Sequence, residues 1–299
     1  MENKRPKVVC FGEVLWDVFP DKRLLGGAPL NVALRLHSLG AEVLMISAVG
    51  KDALGSEALT QIANTGLRTS GIITSETKPT GAVEVSLVDG IASYTITEDV
   101  AWDHLEVSDE LMKEVAEADA LVFGSLALRN KNNRELLNTL LEINSFGIFD
   151  LNLRPPHFTD ELISEMMQKA HLIKLNDEEL EYVSNLLKIT HRSLDSRTAE
   201  IAYKTETDSI CVTLGENGAF MVQLSEDLIS SHPGYKVSVK DTVGAGDSFF
   251  AGLIYELLSG STTEQALTMG CALGALVASK SGANCEVSPD EINTLTKTN

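Results

Sequence analysis

Six short apolar, β-branched runs limit what this chain can become: KVVCFGE, EVLMISAVG, ALVFGSL, FGIFDLN, HLIKLN and SICVTLG. Each is apolar on successive residues, the pattern of a strand covered on both faces. Between them, PLNVALRLHSLG, DALGSEALTQIANTG, NKNNRELLNTLLEIN, TDELISEMMQKA and DEELEYVSNLLK read as helices. Parallel neighbours need a crossover, and a helix packed on the sheet supplies it. The expected fold is therefore α/β: three α/β/α layers around a mostly parallel central sheet, with ligands at the carboxyl ends of the strands.

Two segments depart from that alternation. EVLWDVFPDKRLLGG and TGAVEVSLVDGIASYTITEDVAWD hold no convincing helix, and the second alternates apolar and polar residues around Asp89-Gly90. They read as a small antiparallel sheet, about residues 14–28 and 80–102, inserted as a lid into a single domain spanning 1–299. Such a lid suits exclusion of water from a crevice or contact between two copies as a homodimer, with a decorative hairpin as the alternative.

Charge excludes a partner class. The chain carries 24 Lys plus Arg against 43 Asp plus Glu, a formal net charge of -19, so a sequence-independent grip on nucleic acid is disfavoured. A local basic pocket for one phosphorylated ligand remains compatible with that total. Glu13 and Asp17 interrupt the first apolar run, and no run reaches membrane-spanning length, so the expectation is a cytoplasmic protein without a membrane partner. Cys10, Cys211, Cys271 and Cys285 are too scattered for a zinc site and read as buried thiols.

The chemistry concentrates in two stretches. In DTVGAGDSFFAGL, Gly244 and Gly246 permit a tight turn, and the helix beginning near Asp247 leaves its first N–H groups free for an anion. A carboxylate there would repel a phosphate, which makes sense if Asp247 accepts a proton from a hydroxyl attacking that phosphate. Taken alone, an N-cap role is the alternative. The chain lacks GxGxxG at this site, GxxxxGK[ST] throughout, and the HRD and DFG pair, so the anion site is neither dinucleotide nor Walker type. In GGAPLNVALRLHSLG, Gly26 and Gly27 allow close backbone approach, Pro29 suits a first helical turn, and Asn31 offers both donor and acceptor. With Asp17 upstream, this set suits a polyol.

Together, Gly26, Gly27, Pro29, Asn31, Ala33, Gly40 and Gly50 with DTVGAGDSFFAGLI resemble both signatures of the ribokinase-like family of ATP-dependent sugar and nucleoside kinases. The resemblance implies Asp247 as general base and the amides of Gly244, Ala245 and Gly246 as the phosphoryl cradle. It places Asp17, Gly27 and Asn31 on sugar hydroxyls. Asn176 and Glu179 match its NxxE pattern, which organises a hydrated Mg²⁺, although Glu179 also reads simply as a first-turn carboxylate. Thr213, Gly215 and Gly218 resemble the loop along the nucleotide, although VTLGENGA also reads as an ordinary turn between strands. Lys280, Gly282 and Asn284 lie in a segment like the one lining the adenine pocket, which with Asp241 closes a monovalent-cation site, K⁺ for example. FDLNLRPPHF follows the DxNxRxxxW pattern of fructokinases through Asp150, Asn152 and Arg154, with Phe158 where Trp is usual; kinases of keto-deoxy sugar acids share DxNxR. Arg154 at a strand end suits either the transferring phosphoryl group or the sugar. The implied reaction is transfer from ATP to a primary sugar hydroxyl, D-fructose first; another polyol, a keto-deoxy acid, ribose, a nucleoside or a non-catalytic sugar sensor are the alternatives. An acid substrate calls for a basic residue from the lid; a nucleoside calls for a stacking aromatic, Tyr94 or Trp102.

Overall fold

The computed structural model describes residues 5–88, 91–144 and 146–297, with the side chains of 85–88 and 91–94 left aside. The Asp89-Gly90 turn and the Tyr94 side chain therefore lie outside the described residues. In chain order come β1 (Lys7–Phe11), β2 (Leu15–Val18), β3 (Arg23–Gly26), α1 (Ala28–Ser38), β4 (Glu42–Gly50), α2 (Ala53–Asn64) and β5 (Ile72–Ser75). Next are β6 (Gly81–Val88), β7 (Ile91–Ile96), α3 (Asp109–Glu117), β8 (Ala120–Gly124), α4 (Lys131–Ile143), β9 (Gly147–Asp150) and α5 (Asp160–Lys169). They are followed by β10 (Leu172–Asn176), α6 (Asp177–Leu186), α7 (Leu194–Thr205), β11 (Ser209–Thr213), β12 (Ala219–Gln223) and β13 (Leu228–His232). The chain closes with α8 (Ala245–Leu258), α9 (Thr263–Ala278) and α10 (Pro289–Lys297).

Nine strands form the main sheet in the order β13-β12-β11-β10-β9-β8-β1-β4-β5. From β11 to β5 every pairing is parallel, and β12 and β13 add an antiparallel edge. Side chains on a strand alternate between faces, so one strand feeds two cores. Val9 and Phe11 of β1 join a core with residues of α3 to α7, while Val8 and Cys10 join one with residues of α1, α2, α8 and α9. The expected three layers result, and all six apolar runs are strands of this sheet.

The second sheet has the order β3-β2-β6-β7. It was expected to be antiparallel and is mixed: β2 pairs with β6 in parallel. The physical reason is connectivity. The two strands come from segments separated by α1, β4, α2 and β5, so no hairpin forces their relative direction. Asp52 fixes this sheet to the main one. Its carboxylate caps α2 through Gly55 N–H (2.7 Å) and accepts from the Thr80 amide (2.8 Å) and hydroxyl (2.7 Å), one residue before β6. Trp102, in a short 3-10 turn at Ala101–Asp103, is fully buried, with the Arg129 guanidinium 4.2 Å over its ring.

Candidate active site

The candidate residues meet where β1, β9 and β10 end and where α1 and α8 begin. Gly244 precedes α8 in the left-handed region at φ 75, and a Cβ there would stand 2.2 Å from Ala283 Cβ. Glycine is thus required both by conformation and by the close approach of the 279–288 loop. The helix starts at Ala245, two residues earlier than expected, which puts Asp247 inside the first turn. Ala245 N–H turns back to Thr242 O (3.2 Å), so the first-turn amides suited to an anion are those of Gly246 and Asp247.

Asp247 does not cap its helix. Its Oδ2 accepts from Asn31 Nδ2 at 2.7 Å, a bond from the first turn of α1 to the first turn of α8. Burial pushes its carboxyl up to about 6; the Asn31 bond, Lys174 and Arg154 oppose that rise, and Asp150 adds to it. A carboxyl poised there is ionised at neutral pH yet basic enough to take a proton.

Two charged residues that the sequence reading passed over complete the site. Lys174, inside the apolar run HLIKLN, is buried and lies 3.0 Å from Asp150 Oδ1. Burial alone would lower its ammonium, but Asp150 and Glu179 outweigh that and hold it above its ordinary value. Its Nζ is 3.8 Å from where a Cβ on Gly246 would stand, so a fixed positive charge underlies the glycine turn. Glu13, between β1 and β2, is 3% exposed, and burial pushes its carboxyl up to about 7. Glu13 Oε2 and Asp150 Oδ2 are buried with no hydrogen-bond partner among the described residues. The available signal was a charge within an otherwise apolar strand run.

The other expected residues fall at several places. A Cβ on Gly26 would stand 2.8 Å from Asp17 Oδ2, so that glycine clears room for the Asp17 carboxylate. Burial raises Asp17 and Arg154 lowers it; Arg154 acts in the same sense on Glu13 and Asp247. The exposed Arg154 thus stands among three carboxylates at the site mouth. Asn152, in the left-handed region at φ 38, turns the chain from β9 toward it. Phe158, in place of the usual Trp, packs edge-on against Tyr182 with ring centroids 5.6 Å apart.

Glu179 has a structural role in full view. It is 6% exposed, forms a capping box with Asn176, and accepts N–H bonds from Asn176 and Leu153, each 2.9 Å. Thr213 ends β11, and Gly215 opens a short 3-10 turn into β12, so VTLGENGA is a turn between strands. A Cβ on Gly218 would stand 1.9 Å from His232 O, which explains that glycine by packing alone. Asp241 accepts from Val243 N–H (3.1 Å) and Gly282 N–H (3.0 Å), joining the two loops expected to meet. Lys280 is tied to Glu286 O (2.7 Å) and Glu291 (2.6 Å), toward α10. Asn284, though exposed, donates to Asn31 Oδ1 at 3.0 Å.

The chain is a three-layer α/β/α protein with a cluster of buried charges at the carboxyl ends of its strands, where such folds bind small ligands. The model of the pfkB family carbohydrate kinases matches residues 5–290, and the chain belongs to that family. It is a carbohydrate kinase. A protein of Pyrococcus horikoshii named as an uncharacterized sugar kinase is 29% identical over 271 residues, covering 84% of this chain and 82% of its own. A fructokinase of Solanum tuberosum is 27% identical over 301 residues, covering 92% and 91%. Among solved structures, a fructokinase of Xylella fastidiosa with bound ATP superposes with a TM-score of 0.83 at 22% identity, covering 98% of each chain. Among the described residues, no helix is long and apolar enough to cross a membrane.

Proposed function

We propose that this carbohydrate kinase transfers the γ-phosphoryl group of ATP to the primary hydroxyl of D-fructose, giving fructose 6-phosphate and ADP. The observation that carries the reading is Asp247: a carboxylate with raised basicity, set by Asn31 within the same first helical turn that offers amides to a phosphate. The sugar oxygen bonds to the γ-phosphorus while the bond to the β–γ bridging oxygen breaks, its electrons leaving with ADP. Asp247 takes the hydroxyl proton as attack proceeds. Gly246 and Asp247 N–H groups, Lys174 beneath them and Arg154 at the mouth face the charge that develops. Asp17, Gly27 and Asn31 bind the sugar below the small sheet, which acts as a lid. The nucleotide lies along Thr213, Gly215 and the 241–246 turn, with Gly282 on its far side.

The donor set fits a magnesium ion carried by the nucleotide. Among the described residues there is no group of three His, Cys, Asp or Glu able to hold a metal, and both Glu179 oxygens already accept backbone N–H groups. Asn176 and Glu179 would hold the ion through its water shell, and Mg²⁺ would supply charge neutralisation at the phosphates. A monovalent cation would be held beside Asp241, which joins the 241–246 turn to the 279–288 loop.

The substrate class follows from what surrounds the sugar. Residues 80–102 contain no Lys or Arg, and of the two cations in the 14–28 segment Arg23 is paired with Glu57 and Lys22 lies over the Phe19 ring. Trp102 is sealed in the core and offers no stacking face to a base. These facts favour a neutral substrate over a sugar acid; the other stacking candidate, Tyr94, has its side chain outside the described residues. Arg154 keeps 2-keto-3-deoxygluconate as the second reading, since its exposed guanidinium, with Nη1 on Leu153 O at 3.0 Å, has further N–H groups to offer a carboxylate.

The test is ADP release with ATP and Mg²⁺ across fructose, ribose, glucose, 2-keto-3-deoxygluconate and adenosine. Selective turnover of fructose supports the proposal, and selectivity for the acid transfers it to the second reading. Asp247→Asn should remain folded and lose about two to four orders of magnitude in kcat; a near-normal rate removes Asp247 as the base.

A further inference from the structure

The loop from Ser279 to Ser288 grips the catalytic edge through four successive residues. Gly282 N–H bonds to Asp241, Ala283 abuts Gly244, Asn284 Nδ2 donates to Asn31 Oδ1 at 3.0 Å, and Cys285 O accepts from Arg35 at 2.8 Å. Three of these contacts hold backbone. The third holds a side chain that touches the base.

We infer that Asn284 is a positioning residue for the general base, fixing the Asn31 amide so that Asn31 presents N–H, and not C=O, to Asp247. The inference rests on the kinase reading only in calling Asp247 the base. A primary amide has one donor end and one acceptor end of nearly the same shape, so its direction is set by its partners. Asn31 sits between two of them, Asp247 Oδ2 at 2.7 Å and Asn284 Nδ2 at 3.0 Å. The direction of Asn284 is in turn set by a group that cannot reverse: its Nδ2 also faces the Leu25 carbonyl, a long contact at 3.5 Å, and a carbonyl only accepts. Polarity therefore runs from Leu25 O through Asn284 and Asn31 to Asp247. Reversing Asn31 would bring a carbonyl oxygen against a carboxylate.

Each Asn31 amide end keeps capacity in reserve. One N–H and one oxygen lone pair remain for a sugar hydroxyl, so substrate can bind without breaking the chain. Leu25 belongs to β3, so the chain also joins the small sheet to the base. The other charged groups facing Asp247 are Asp150 on β9, Lys174 on β10, Arg154 beyond β9 and Glu13 beyond β1. None of them touches Asn284 in the contacts above, so a change at Asn284 reaches Asp247 through Asn31.

The experiment compares Asn284→Leu and Asn284→Asp with the wild type. In substrate-free protein, carbon-13 NMR follows the Asp247 carboxyl, assigned by its absence in Asp247→Asn. Losing the oriented amide should move its titration upward by about half to one pH unit in Asn284→Leu, because the bond that favours the charged form weakens. Asn284→Asp, an acceptor in place of a donor, should move it further. The acid limb of kcat should follow, lowering kcat at pH 6 about 2- to 5-fold in Asn284→Leu, with KM for ATP within about twofold. In an Asn31→Ala background, Asn284→Leu should add nothing. An unmoved Asp247 titration with a raised KM for ATP would overturn the inference and make Asn284 a nucleotide contact. If no sugar is phosphorylated but the Asp247 carboxyl still moves, the kinase reading falls and the positioning role stands.

Discussion

Asp247 carries a cost that follows from its usefulness. Its folded value near 6 lies above the ordinary 3.8, so the folded chain holds that proton more tightly than the unfolded chain. Its contribution to stability is fully present below pH 3.8 and is lost as pH rises through about 6. Asp247→Asn should therefore raise the melting temperature at pH 8 by an amount equivalent to about 1–2 kcal/mol, discounted because the group keeps some solvent contact. That advantage should vanish toward pH 4, and equal melts at both pH values would sink the account. Lys174 shows the reverse case. Lys174→Met leaves the Asp150 carboxylate buried without its cation and should cost about 3–5 kcal/mol in urea unfolding, with part recovered on adding Asp150→Asn. A loss below about 1 kcal/mol would show that water reaches the pair.

At the scale of elements, the site is made by two helix starts and one loop. The α1 and α8 helices pack on each other, and Asn31 to Asp247 joins their first turns. The α8 helix holds its position by burying Phe249, Phe250, Leu253 and Ile254, each such side chain contributing about 1.5–3 kcal/mol. Gly244→Ala tests how closely the 279–288 loop seats on this helix. The added methyl meets Ala283 and the residue is strained at φ 75, so the variant should lose about 1–3 kcal/mol of stability and at least about tenfold in kcat. Wild-type turnover would mean that the loop is free to withdraw. The motifs were legible here because chemistry demanded rare residue combinations, two glycines before a carboxylate. The helix start was placed two residues late, since Gly246 weakened the helical pattern at its beginning. VTLGENGA, readable either as a nucleotide loop or as a plain turn, is geometrically a turn, and Gly218 is explained by His232 behind it.

On the scale of the whole molecule, the main sheet is the floor and the small sheet is fastened to it near Asp52 and Thr80. The open sheet, with β3 and β7 as its outer strands, is proposed as the face through which two copies associate. Light scattering at micromolar concentration should return a mass near twice that of the chain, and a monomer would leave the small sheet as a lid alone.

The sequence by itself determined the layered α/β frame, because strands apolar on successive residues can only be buried on both faces. It also determined the family and the Asp247 turn, where spacing along the chain is the chemistry. What only the tertiary structure decided is which groups face one another across long sequence separations. Asn31 meets Asp247 and Asn284, Lys174 lies beneath Gly246, and Lys280 turns away to α10. Composition and periodicity record how a segment packs on its neighbours, whereas the direction of an amide or the partner of a buried ammonium exists only once distant strands and helices have met.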